Sequence, residues 1–244
     1  MDLNKQRRAI RHLLNEYQPA DAIAAYYAFY HPPEKTRLVL YPPDSAHVTG
    51  YMAFAQTGFD LFRPFVTLRL PHRDLHGSVE LVHNAILPGT AVILHTPDNY
   101  LPLLQALFQI HSQETLALYK LEASRFRPIL NVLVTQSNGT NGLPRFVIRR
   151  TTTEQDEIVA AAGINWQTPY FAEISVYTAP KYRRRGWGRS VVSAMAQHLL
   201  ENGRIPLYAV ATTNTPSIHL AQALGFTDTG VRQILLQATL KPRP

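Results

Sequence analysis

Two passages of this chain follow the same course, and their likeness limits the possible folds more than any single element does. "TAVILHTPDNYLPLLQALF" at 90–108 and "PLYAVATTNTPSIHLAQALGF" at 206–226 are each an apolar strand, a Thr-Pro step and a helix ending in Gln-Ala-Leu. The elements around them come in the same order, so the chain reads as two pseudo-repeated halves. Strand-like and helix-like runs alternate through both, which predicts an α/β fold on a mixed sheet. In the first half, helices are expected over 3–17 and 20–30, the second opened by Asp21 as a cap. Strands follow at "TRLVLY", "HVTGYMAFA" and "FRPFVTLRL", then helix, strand, helix and strand at "SVELVHNAIL", "TAVILH", "NYLPLLQALFQI" and "TLALYKLEA". The second half begins near "RFRPILNVLVTQ" and crosses a turn-rich break, "SNGTNGLP". The expected domains are 1–127 and 128–244.

Composition excludes several function classes. With 45% hydrophobic residues in 244 the chain can bury a core. The charged, amphipathic start "MDLNKQRRAIRHLL" is unlike a secretory signal, and eighteen apolar residues never run together, so a soluble, cytoplasmic protein away from membranes is expected. Zero cysteines exclude disulfides, thiolate nucleophiles and cysteine metal sites. His72 and His76 in "HRDLH" are spaced for a metal pair, but they lack a metalloprotease glutamate and sit in a loop-like stretch. They read as surface histidines, and no metal is expected. The sequon Asn138-Gly139-Thr140 carries little weight without a secretory signal.

A net charge of +7 implies affinity for an anion. "PKYRRRGWGRS" at 180–190 concentrates five positive charges between a strand-like run, "AEISVYT", and a helix-like one, "GWGRSVVSAMAQHLLENG", which Gly203 stops. A strand leading through glycines into a helix aims unpaired N–H groups and the helix dipole at one spot. Gly186 and Gly188 allow close approach of a phosphate, and Arg183, Arg184, Arg185 and Arg189 can donate charge-assisted hydrogen bonds. The third glycine of a dinucleotide fingerprint is missing, since Val191 stands there, and no Gly-Lys-Ser/Thr ending of a triphosphate loop occurs. On these residues alone a nucleic-acid backbone, a cofactor's phosphates and a solvated basic turn all remain open.

"VYTAPKYRRRGWGRSVVSAM" resembles the acyl-coenzyme-A signature of the GNAT-superfamily N-acetyltransferases, matched by Arg183, Gly186 and Gly188. "NTPSIHLAQALGF" is similar to that superfamily's second signature, at Asn214, Ser217, Leu220, Gly225 and Phe226. The likeness covers about residues 145–240 by motif and the first half by element order, as in members whose amino-terminal half is a degenerate GNAT-like copy. It implies an acyl-coenzyme-A-dependent N-acyltransferase that moves an acetyl group from acetyl-coenzyme A to a small-molecule or peptide amine by direct attack. It also implies that "EISVYT" and "LYAVAT" splay apart to admit pantetheine beside Val176, Tyr177 and Thr178. The remaining coenzyme-A contacts implied are Arg183, Arg184, Arg185, Gly186, Trp187, Gly188, Arg189, Ser190, Asn214 and Ser217.

For chemistry the resemblance points to Glu173 as base, a role its facing on the strand decides. Many relatives carry a tyrosine after the leucine of the second signature, but this chain has Ala221. Ser217, one turn earlier, is then the nearest candidate beside the leaving sulfur. Tyr208 and His219 are alternatives that read more simply as a core tyrosine and a surface histidine. Two other readings remain: a catalytically silent coenzyme-A sensor, kept open by Ala221, and a basic nucleic-acid module, which lacks a groove-reading motif.

Overall fold

In the computed structural model, residues 2–43, 45, 47–58, 60–139, 142–151 and 156–243 are described. The elements in chain order are α1 (Leu3–Ala9), α2 (Ala22–Ala25), β1 (Thr36–Tyr41), β2 (Gly50–Ala55), β3 (Phe65–Arg69), α3 (Leu75–Ala85), β4 (Ala91–Pro97), α4 (Leu101–Leu107) and β5 (Phe108–Leu121). They continue with β6 (Val134–Asn138), β7 (Pro144–Thr151), β8 (Asp156–Gln167), β9 (Phe171–Thr178), α5 (Trp187–Glu201), β10 (Ile205–Ala211), α6 (Thr215–Ala223) and β11 (Phe226–Leu240). This is the mixed α/β architecture that the strand and helix periodicities predict. The chain divides into two units: Met1–Leu116 with Val231–Pro244, and Ala117–Gly230.

In the first unit, neighbouring strands run β1-β2-β3-β4-β11. β3 and β4 are parallel, while β4 pairs antiparallel with Gln233–Thr239 of β11. Met52, Val66, Leu68, Leu94 and Leu236 face the α3 residues Leu81 and Val82, and on the other face Leu38, Leu40 and Tyr51 pack with Ile10, Ala25 and Ala28. Three elements depart from their periodicity. The helix expected over 3–17 stops at Ala9, and after a tight turn at Arg11–Leu13 the chain is extended at Leu14. Local side-chain bonds compete with the helix there, with Tyr17 N donating to Asn15 Oδ1 and Asn15 N to Asp21 Oδ2. The helix expected over 20–30 becomes a short α-turn followed by a π-turn, Tyr26–Tyr30. In "NYLPLLQALFQI" the helix ends at Leu107 and Phe108 begins β5, since sheet pairing overrides the helical spacing.

His95 is a buried titratable group in this unit, opposite Thr67 in the β3–β4 register. Burial pushes its imidazole down to about 4, and neither ring nitrogen has a hydrogen-bond partner. Because the unfolded chain binds a proton near pH 6.5 and the folded one does not, stability is complete above pH 6.5 and is lost as pH falls from there towards 4. Acidification from pH 7 to 5 should therefore lower the protection factors of the β3 and β4 amides, each taken against its intrinsic exchange rate at that pH, and His95→Gln should blunt that response. Equal pH dependence in the two proteins would refute the assignment.

In the second unit the neighbours run β11-β5-β10-β9-β8-β7-β6. β6 and β7 form a hairpin across the predicted break, where Gly139 N bonds Leu143 O. Thr140 of the sequon and Asn141 lie outside the described residues. α5 lays Val191, Val192, Met195 and Leu199 on Ala160, Ala162 and Ala172 of β8 and β9, so long helix side chains meet short sheet side chains. Gly203, at φ +71°, ends the helix: its N–H bonds Leu200 O, and Arg204 N bonds Leu199 O.

Candidate functional site

The site begins where two parallel strands part. β9 and β10 pair at Phe171–Ile205, Ala172–Pro206 and Glu173–Leu207. β9 runs on to Thr178 and β10 to Ala211 beyond that ladder. In β8, the register shifts between Ile164 and Trp166 directly opposite this point, leaving Asn165 as the extra residue of a bulge. The ladder thus loosens on both sides of β9 at Glu173.

Beside the part of β9 that runs on past the ladder lies a cavity of about 820 Å³. It is lined by Val176, Tyr177 and Thr178 of β9, by Tyr182, Arg183, Arg184, Gly186, Trp187, Gly188 and Arg189 of the loop and first turn of α5, and by Asn214, Pro216, Ser217, His219, Leu220 and Ala223 of α6 and its cap. Arg184 and Gly186 both take positive φ, +63° and +79°, which turns successive N–H groups inward. α1, α3 and α6 are capped by the side chains of Asp2, Asp74 and Asn214, whereas α5, like the short α2 and α4, has no side-chain cap. Its first N–H groups remain available to a ligand. A Cβ on Gly188 would lie 3.1 Å from Thr178 Oγ1 and 3.2 Å from Leu220 Cδ1. Absence of a side chain at 188 therefore keeps the cavity open between β9 and α6.

The five charges of the loop divide their labour. Arg183, Arg184 and Arg189 line the cavity, and Arg183 Nε also bonds Thr178 O at 3.3 Å. Lys181 pairs with Glu157 at 2.9 Å. Arg185 instead lies 5.6 Å from the ring centres of both Tyr182 and Trp187, which are themselves stacked. Ser190 is buried against Asn131, whose Nδ2 donates to it at 3.0 Å, and does not line the cavity.

Glu173 also lies outside the cavity lining. It is buried, and desolvation pushes its carboxyl up to about 7. Its neighbours Ala172 and Ile174 point into the core under α5, so Glu173 points through the opposite face of the sheet. Ala221 is fully buried in the core, and α6 turns Ser217, Leu220 and Ala223 to the cavity instead. The placement of Ala221 beside a departing sulfur, expected from helical spacing with Ser217, gives way to core packing. Tyr208, read from sequence as a core residue, is indeed buried, and that burial raises its phenol above the ordinary value.

In the first unit, the corresponding strand–turn–helix follows β3. There Asp74 Oδ1 accepts from Gly77 N at 2.7 Å, seating a carboxylate of the chain on the α3 amino terminus. His76 lies inside α3, not in a loop as its sequence context suggested, because that cap starts the helix at Leu75. Among the described residues no group of three or more His, Cys, Asp or Glu is placed to hold a metal ion.

A family model described as FR47-like protein matches residues 153–234, which hold the parted strands, the arginine loop and α6. Across nearly the whole chain the architecture matches solved structures. A Drosophila protein is 12% identical, with 97% of this chain and 95% of that one covered at a TM-score of 0.69. A tandem GNAT protein from the clavulanic acid biosynthesis pathway is 12% identical, with 100% and 96% covered at 0.63. The chain has the GNAT fold. An acetyltransferase from the GNAT family of Colwellia psychrerythraea, 12% identical with 95% and 96% covered, adds a TM-score of 0.55. No curated protein matches in sequence. A GNAT fold does not name a reaction, so activity has to be argued from the site.

Proposed function

We propose that the protein is an acyl-coenzyme-A-dependent N-acyltransferase, using acetyl-coenzyme A as donor and an amine as acceptor. The single observation carrying this reading is the meeting, in one cavity, of the β9 segment beyond its ladder with β10 and an uncapped helix amino terminus ringed by Arg183, Arg184 and Arg189. An extended arm ending in phosphates suits that combination: backbone of Val176–Thr178 for the arm, loop N–H groups and arginines for the pyrophosphate. Gly188 supports the fit, since any side chain there would fill the passage between Thr178 and Leu220. The arginines gather around a concavity, which favours a small phosphorylated ligand over a nucleic-acid backbone.

Bound acyl-coenzyme A supplies an activated thioester. The chain supplies proton handling on two faces of the sheet. Glu173 takes the proton shed by the attacking amine, and a carboxyl held at about 7 is matched to that work near neutral pH. Ser217, on the cavity face, is the hydroxyl available to the thiol side. Aqueous thiols ionise near pH 8.5, so a modest donor suffices there.

Thermal unfolding with acetyl-coenzyme A and, separately, duplex DNA tests the ligand class. A ligand at a hundredfold its Kd adds about 2.7 kcal/mol, and that gain is expected with acetyl-coenzyme A and not with DNA. Thiol release across a panel of amines then tests the reaction. Binding without turnover on any amine would favour a silent sensor instead.

The wider setting is also proposed. Among the described residues no helix is long and apolar enough to cross a membrane, and a cytoplasmic enzyme is consistent with that.

A further inference from the structure

The arginine loop carries more positive charge than the cavity takes up. Arg183, Arg184 and Arg189 line the cavity and Arg185 does not, although the two rings beside Arg185 do. Those rings are Tyr182, buried in the cluster under α5, and Trp187, the first residue of that helix. They stack with 5.4 Å between centres and 30° between planes. A second guanidinium reaches the same phenol from the sheet, since Arg150 in β7 lies 5.6 Å from the Tyr182 ring centre, as Arg185 does. No motif marks Arg150, because β7 meets the loop only through the fold.

Local acids do not neutralise this pair. Glu157 stands opposite Arg150 in the β7–β8 ladder, but its carboxylate is taken by Lys181 at 2.9 Å. Among the described residues no acidic side chain pairs with Arg150 or Arg185. An aromatic ring holds a guanidinium by its face and leaves the N–H groups at its edge free, so both arginines are positioned in advance for an anion with several oxygens. Tyr182, fixed in the core, keeps that platform still.

We propose that Arg150 and Arg185, gathered on Tyr182, form a second phosphate site outside the cavity, which recognises the 3′-phosphate on the ribose of coenzyme A. This rests on the acyltransferase reading above. Coenzyme A carries its charge in two places, a pyrophosphate and a phosphomonoester on the adenosine. The α5 amino terminus with Arg183, Arg184 and Arg189 answers the first. With the pantetheine arm along β9 and the pyrophosphate at the loop, the adenosine is left on the outer side of the loop, where Tyr182 and Trp187 carry the remaining arginines. A phosphomonoester holds close to two negative charges at neutral pH, and two guanidiniums without acid partners balance it. The site acts as a discriminator. Thioesters that lack the ribose phosphate, whether on 3′-dephospho-coenzyme A or on a bare phosphopantetheine arm, engage the loop alone, so the donor is selected as a free coenzyme-A thioester.

Calorimetric titration of the full-length protein with coenzyme A and with 3′-dephospho-coenzyme A reads the site without any turnover. Wild type should bind coenzyme A at least about tenfold more tightly than the dephospho form. Arg150→Gln and Arg185→Gln should each narrow that ratio, and the double variant should bring it to about one, with affinity for 3′-dephospho-coenzyme A unchanged throughout. Both side chains are exposed, so their replacement spares the core. Equal affinity for the two ligands in wild type overturns the site and leaves the cofactor reading standing. A preference that survives the double substitution overturns it too, and so does a fall in affinity for both ligands alike, which would assign the arginines to the pyrophosphate. Failure of wild type to bind either ligand removes the cofactor reading itself and this site with it.

Discussion

Replacing Gly188 by glutamate should abolish coenzyme-A binding while leaving the protein folded. Two effects act together. The new Cβ starts 3.1 Å from Thr178 Oγ1 and 3.2 Å from Leu220 Cδ1, so the rest of the side chain must run along the cavity between β9 and α6. Its carboxylate then competes with phosphate for Arg183, Arg184 and Arg189 and for the uncapped N–H groups of α5. A loss of at least about a hundredfold in affinity, roughly 2.7 kcal/mol, is expected. The fold should not suffer, because a negative charge in the first turn of a helix complements its dipole. Calorimetric titration with acetyl-coenzyme A, alongside the unfolding midpoint without ligand, separates the two effects. Retained affinity in a folded variant would remove the cavity from the mechanism.

Glu173→Gln should slow turnover about a hundredfold or more and make the protein more stable, with coenzyme-A affinity unchanged. The stability gain has a definite sign. Glu173 has a carboxyl pKa raised from 4.5 to about 7, so the folded state holds a proton that the unfolded state releases. Its ionisation costs nothing below pH 4.5, costs progressively more between 4.5 and 7, and reaches its full penalty of up to about 3 kcal/mol above 7. The neutral amide of the variant escapes that penalty, so the variant should gain at pH 8 and gain little at pH 4. Wild-type turnover should rise with pH through about 7 as the carboxylate forms, and the variant should lose that limb. Unchanged turnover with a saturating acceptor would take Glu173 out of the reaction.

How much of this was readable beforehand depends on how local each signal is. The strand, arginine loop and α5 are consecutive in the chain, so their order and the left-handed turn at Gly186 show in one short window of sequence. Their gathering around a cavity with α6 is less local, but the Asn214 cap and the Thr-Pro step mark where that helix starts. The surroundings of Glu173 were not legible. Its facing depends on alternation along β9, its pKa on burial and on a bulge at Asn165, and that bulge belongs to another strand. Helix limits misled where tertiary pairing takes over, as at Phe108.

The closure of β4 by Gln233–Thr239 bears on how the protein is made. The first unit is assembled from both ends of the polypeptide, and Leu116 and Val231 bracket the whole second unit. During synthesis β4 leaves the ribosome with one edge unpaired, and its partner is delivered only after the whole second unit, the 114 residues Ala117–Gly230, has been added. At 5–20 residues per second that delay is on the order of ten seconds. An open edge of apolar strand for so long invites pairing with other chains. Nascent chains halted before Val231 should accordingly be more prone to associate than chains released after Leu240, although both contain every residue proposed to touch the ligand.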